Sequence, residues 1–211
     1  LKNHPFIYEP TTTITDFIIF LLGCYYGWYT ILISGSSFHL IWGGTFFLLS
    51  ISALLGAISH GFGPKFSKLE KKVVWFLTLF FVGLTSLGLL TSVFLLFTNG
   101  SFNVLVLFVL IILFALYIYR ILREDSFSVA VRFYFPILII TFFGFVYIFL
   151  KKGYTGSLFI SIGIIVTLVA SLIQRSRITL HEYFNYNDFF HVLQMIGMYF
   201  LYEGGLEIPK I

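Results

Sequence analysis

Four ionisable residues fall within or at the ends of strongly apolar stretches of this chain: Asp16, His60, Asp188 and His191. A charge is costly in an apolar run, so such residues normally face an interior and mark function. Histidine nitrogens together with a carboxylate suit zinc. A catalytic zinc takes three protein ligands and leaves one position for water, which ionises near neutral pH. The chemistry expected of this set is metal-assisted hydrolysis, with His60 and His191 as metal ligands and Asp188 and His181 as candidates to complete the set. Asp16, Ser59 and Asp188 are the catalytic candidates. The sequence has no nucleophile elbow, no Gly-rich phosphate loop and no HExxH, and Ser59 beside His60 does not by itself make a serine hydrolase.

Spacing gathers some of these groups. Asn187 to His191 is i,i+4, and Asp188 to His191 and His191 to Gln194 are each i,i+3, which places them over one broad helical face. Ser52, Gly56, Ser59 and His60 fall on one side of an earlier helix, where the glycine leaves room for a neighbour. A plainer reading stands beside the catalytic one. The histidines would hydrogen-bond to Asp16 and Asp188 only to fix helix packing, and Asn187 and Asp188 would serve as helix N-caps. His181 and Glu182 would be interfacial, as would His39 and His4.

The elements that must position these groups follow from composition. Hydrophobic residues make up 59% of the 211 and charged residues 10%, with a mean hydropathy of +0.98. A soluble domain cannot hide that much apolar surface, so the solvent is a bilayer. At about 20 apolar residues per span, the runs predict seven transmembrane helices near 15–34, 38–62, 73–98, 102–120, 128–150, 154–174 and 187–205. Turn chemistry separates them at Gly35-Ser36-Ser37, Gly63-Pro64-Lys65, Asn99-Gly100-Ser101 and Lys151-Lys152-Gly153. The expected fold is all-α, one seven-helix transmembrane domain over residues 1–211. Pro10 and Asp16 ahead of the first run, with no small-residue cleavage pattern after it, mark that run as a helix rather than a leader.

Lys and Arg set the orientation. Lys2, Lys65, Lys68, Lys71, Lys72, Arg120, Arg123, Arg132, Arg175 and Arg177 share the side of the N-terminus, against Lys151, Lys152 and Lys210 on the other. The N-terminus is therefore expected inside, the C-terminus outside, and the four ionisable residues toward the cytoplasmic end. The basic residues sit at helix ends, where they meet headgroups, so membrane lipids and not nucleic acid are the expected partners. The lone Cys24 reads as a packing residue. Gly23 and Gly27 form a GxxxG that marks a helix seam.

The late histidine of the second helix and the early histidine of the seventh resemble the CREST superfamily of membrane hydrolases, which includes alkaline ceramidases and adiponectin-type receptors. The segments Glu9-Pro-Thr-Thr-Thr-Ile-Thr-Asp16, Ser59-His60-Gly61 and Phe184-Asn-Tyr-Asn-Asp-Phe-Phe-His191-Val-Leu-Gln194 also resemble an uncharacterised group of bacterial seven-helix proteins, which implies a bacterial inner membrane or its equivalent. The superfamily implies an intramembrane zinc on one helix-two and two helix-seven histidines, with a Ser and an Asp nearby, opening lipid amides. This chain has Gly56-xxx-His60 where that pattern has Ser-xxx-His, and Asn187-xxx-His191 where it has His-xxx-His, and its third helix has no Asp. The implied zinc then needs Asp16, Asp188 or His181 in place of a histidine. Two functions follow: a metal-dependent hydrolase of a lipid amide or ester working from the cytoplasmic side, or a non-enzymatic receptor or accessory subunit with a hydrogen-bonded polar core. A proton relay ranks below both, because the outer half of the bundle has few matching ionisable groups.

Overall fold

Local capping decides where each helix begins. Pro10 occupies the first turn of α1 (Pro10–Ser34), where its missing N–H costs nothing. Ser67 and Glu70 form a reciprocal capping box that starts α3 (Lys68–Phe97) well before its apolar run. Both helices therefore begin five residues earlier than hydropathy predicts. Between them α2 (Ser37–Phe62) ends in a short 3-10 turn, Gly63–Lys65. The chain continues through α4 (Val104–Arg123), α5 (Phe127–Lys152), α6 (Thr155–Ser176) and α7 (Tyr186–Leu206). Left-handed glycines at Gly35 and Gly153 stop α1 and α5, as the turn signals predict. This computed structural model describes residues 6–101, 103–124, 126–177, 179, 181 and 184–210. His4 and Glu182 lie outside the described residues.

Among the described residues the fold is the expected all-α bundle, with seven helices, six of them long and apolar enough to cross a membrane. The exception is α7. It carries Asn187, Asp188, His191, Gln194 and Glu203, of which Asp188, His191 and Gln194 are buried in the bundle. Its polarity is turned inward.

Six helices close into a ring in the order α1, α2, α3, α5, α6, α7, with α7 returning to α1, and α4 lies outside against α3 and α5. Small residues let the walls approach. Gly23 and Gly27 face α2, as the GxxxG predicts. Gly163 and Gly197 meet so closely that a Cβ on Gly163 would stand 2.8 Å from the Gly197 carbonyl oxygen, which welds α6 to α7. Side chains then bond across the ring. Ser52 donates to the Thr78 carbonyl at 3.1 Å, Tyr134 to Ser171 at 3.0 Å, and the Trp42 indole to the Leu201 carbonyl at 3.1 Å. Tyr117 donates to the Leu79 carbonyl at 2.7 Å and ties on α4. Such bonds average about 0.6 kcal/mol each in a bilayer, so they set register more than total stability.

Candidate functional site

The inner face of α1 is unusually polar. Thr12, Thr15 and Asp16 are each less than 10% exposed, and they lie three and four residues apart on the stripe that continues to Ile19. That stripe meets the first turns of α7. Thr12 Oγ1 donates to Asp188 Oδ1 at 2.8 Å, Thr15 Oγ1 lies 2.8 Å from His191 Nδ1, and His191 Nε2 lies 3.3 Å from Asp16 Oδ1. These contacts make helices one and seven neighbours, which the sequence reading requires but cannot derive.

Asp188 completes a capping box. Its Oδ2 accepts from the Asn185 backbone N–H at 2.7 Å, while Asn185 Oδ1 accepts from the backbone N–H groups of Asn187 and Asp188. The N-cap is thus Asn185, with Asp188 at the third helical position. Asp16 lies against Gly56. A Cβ there would stand 2.8 Å from Asp16 Oδ2, so the glycine makes room for the carboxylate.

His60 points a different way. Its Nδ1 lies 2.9 Å from Glu9 Oε2, in the segment just before α1. That segment is strapped to the end of α2: the Tyr8 N–H donates to the Gly61 carbonyl at 3.1 Å, Lys65 donates to the Phe6 carbonyl at 2.8 Å, and the Phe6 ring meets Phe62 edge-on. The hydrogen bond from His60 holds the Glu9 carboxyl below the usual carboxylate range.

The ring encloses a cavity of about 810 Å³, within the range of small-molecule sites. Asp16, His60 and His191 all line it, with Ser52 and Gly56 from the same face of α2 as His60. Its rim carries Glu124, Arg132, Arg175 and Arg177, and its far end is closed by Trp42, Phe46 and Leu201. Among the described residues, the wall includes neither Asp188, Ser59 nor His181. Asp188 is 1% exposed behind it. His181 is exposed and pairs its backbone with Phe184 outside the bundle.

The sequence-predicted site residues therefore divide. Asp16, His60 and His191 come together on one cavity, whereas Asp188, Ser59 and His181 do not join them. As arranged, these donors do not fit a three-ligand zinc. Both His191 nitrogens, His60 Nδ1 and both Asp188 oxygens face protein partners, and among the described residues no three His, Cys, Asp or Glu side chains converge to hold a metal. Sequence reasoning missed Thr12, Thr15, Glu9 and Asn185. The hydroxyl run Thr11-Thr12-Thr13 with Thr15 ahead of Asp16 is a legible signal for the first two. Asn185-x-x-Asp188 has the capping-box spacing.

No curated protein and no solved structure matches the chain. The model of a family of unknown function, DUF6962, matches residues 11–210, essentially the whole helical bundle. The chain therefore belongs to the DUF6962 family.

Proposed function

We propose that this protein is a non-enzymatic, ligand-binding membrane protein of receptor or accessory type, whose polar core is held by hydrogen bonds and whose ligand enters the cavity ringed by six helices. The observation that carries this reading is the division of polar groups around that cavity. Of the groups expected to bind metal, His60 is spent on Glu9, His191 on Thr15 and Asp16, and Asp188 on Thr12 and the Asn185 N–H. Gln194, however, is only 8% exposed and lines the cavity with no hydrogen-bond partner for its amide among the described residues. An amide facing the cavity without a protein partner offers its hydrogen bonds to whatever occupies that space, a ligand group or water. The rim arginines fall on the side richer in Lys and Arg, which supports a cytoplasmic mouth and an inside N-terminus.

The test is native mass spectrometry of protein released from its own membranes, compared with Ala53→Phe, which projects a ring into the cavity from α2. A bound small molecule in the wild type that is lost in the variant supports the reading. Identical spectra, both without an adduct, count against it.

A lipid amide or ester hydrolase is the second reading, favoured by the placement of Asp16, His60 and His191 on one wall open to the cavity. It needs donors to leave their present partners for a metal, so metal content separates it from the first.

A further inference from the structure

The shape and charge of the cavity narrow its ligand, given the ligand-binding reading above. On α2 its lining runs from His60 to Trp42, eighteen residues, or about 27 Å at 1.5 Å rise per residue. The cavity is elongated, suited to an extended apolar chain. Its deeper wall is mainly apolar, with Ile19, Leu49, Ala53, Val82, Leu89 and Leu138.

The rim has the opposite character. Arg132 spends its charge on Glu124 at 2.6 Å. Arg175, in the last turn of α6, and Arg177, just past its end, are exposed and have no ion-pair partner among the described residues. Two guanidinium groups with no ion pair among the described residues, at the mouth of an apolar channel, present planar, multi-donor faces matched to carboxylate or phosphate oxygens. Asp16 is the carboxylate on the wall below them, and it is already paired with His191. An acidic head thus has a place at the rim, away from that charge.

We propose that the cavity binds an alkyl-chain amphipath with an acidic head, the head held by Arg175 and Arg177 and the chain laid inward toward Trp42. Trp42 is 1% exposed at the closed end, so it reports chain entry. The experiment uses the full chain in a neutral detergent with Trp28 and Trp75 changed to Phe, so that Trp42 is the sole tryptophan and is excited selectively over the tyrosines. It is titrated with ω-bromodocosanoate, long enough when extended to reach from the rim to Trp42, with the neutral ω-bromodocosanol, and with the cationic ω-bromodocosyltrimethylammonium.

Saturable quenching is expected from the acid at the lowest concentration, with its half-saturation raised about tenfold by Arg175→Gln with Arg177→Gln. The alcohol should be weaker and indifferent to that change, and the cation weaker still and improved by it. Both arginines are exposed, so the paired variant should fold, and a matching thermal transition checks this. Equal half-saturation for the three probes, unmoved by the arginine changes, would overturn the acidic-head proposal while the ligand-binding reading stood. Displacement of the bromo acid by inorganic phosphate at similar concentration would identify a free anion as the ligand and overturn the chain. No saturable quenching by any probe would overturn the proposal, and with an adduct still lost in Ala53→Phe the ligand-binding reading would survive it.

Discussion

Removing the Asp188 carboxylate should damage the fold and leave the cavity chemistry intact. Asp188→Ala deletes two acceptors at once, one for the Thr12 hydroxyl at 2.8 Å and one for the Asn185 N–H at 2.7 Å, at a residue 1% exposed. A hydrogen bond to a charged group is worth about 1.5–3 kcal/mol, and a donor left buried without a partner costs about 1–3 kcal/mol. Relief from desolvating a carboxylate offsets part of that loss. A net destabilisation of about 2–4 kcal/mol is expected. Thr12→Val alone should cost less, because Asp188 keeps its cap role. In the double variant the two losses should fail to add, with a coupling of about 1–2 kcal/mol, in the range found for contacting pairs. The assay is reversible unfolding in mixed micelles across all four proteins, with ligand titration of the folded fraction. A coupling below about 0.5 kcal/mol would refute the strut. So would an Asp188→Ala protein of unchanged stability that no longer binds.

Three further outcomes follow from the same geometry. Gly56→Ala should gain about 1 kcal/mol of helix propensity and lose about 1–3 kcal/mol to crowding, because its Cβ would stand 2.8 Å from Asp16 Oδ2; unfolding midpoints should fall slightly, and a clear rise would show that Asp16 moves freely. The Glu9 carboxyl is depressed by its bond from His60, so its contribution to holding the strap is present above the unfolded-state value and is lost as pH falls through the lower folded value. Hydrogen-exchange protection at the Tyr8 amide should accordingly persist at neutral pH and drop in acid, and Glu9→Gln should abolish that dependence. In a Cys24→Ser background, a cysteine placed at Arg177 should be labelled from the cytoplasmic side and one at Gly153 from the opposite side; the reverse pattern would invert the topology.

The helices were legible in the sequence because the apolar runs are long and several end at a residue that breaks a helix, such as the left-handed glycines Gly35 and Gly153. Starts at Pro10 and Lys68 were less legible, since hydropathy does not register a cap that extends a helix into the headgroup layer. Of the site, Asp16, His60 and His191 could be picked out because ionisable groups are conspicuous in apolar runs. Their partners could not. Whether His191 meets a metal or the Thr15 hydroxyl depends on how α7 is rotated against α1, and no spacing within either helix fixes that angle. The zinc expectation assumed that polar residues at one depth converge on one point. In the fold Asp188 turns back to its own helix start, and His60 turns outward to Glu9. The ring closure of α7 on α1 is a contact between residues 176 positions apart, beyond the reach of local pattern.

The central claim is that hydrogen bonds, and not a metal, hold the polar core beside the cavity. Elemental analysis of the protein purified without chelators tests it most directly, with His60→Ala and His191→Ala as companions that still run as folded species. The account predicts far less than one zinc per chain in the wild type and no change in either variant. Near-stoichiometric zinc in the wild type, lost in both variants, would contradict it and restore the hydrolase.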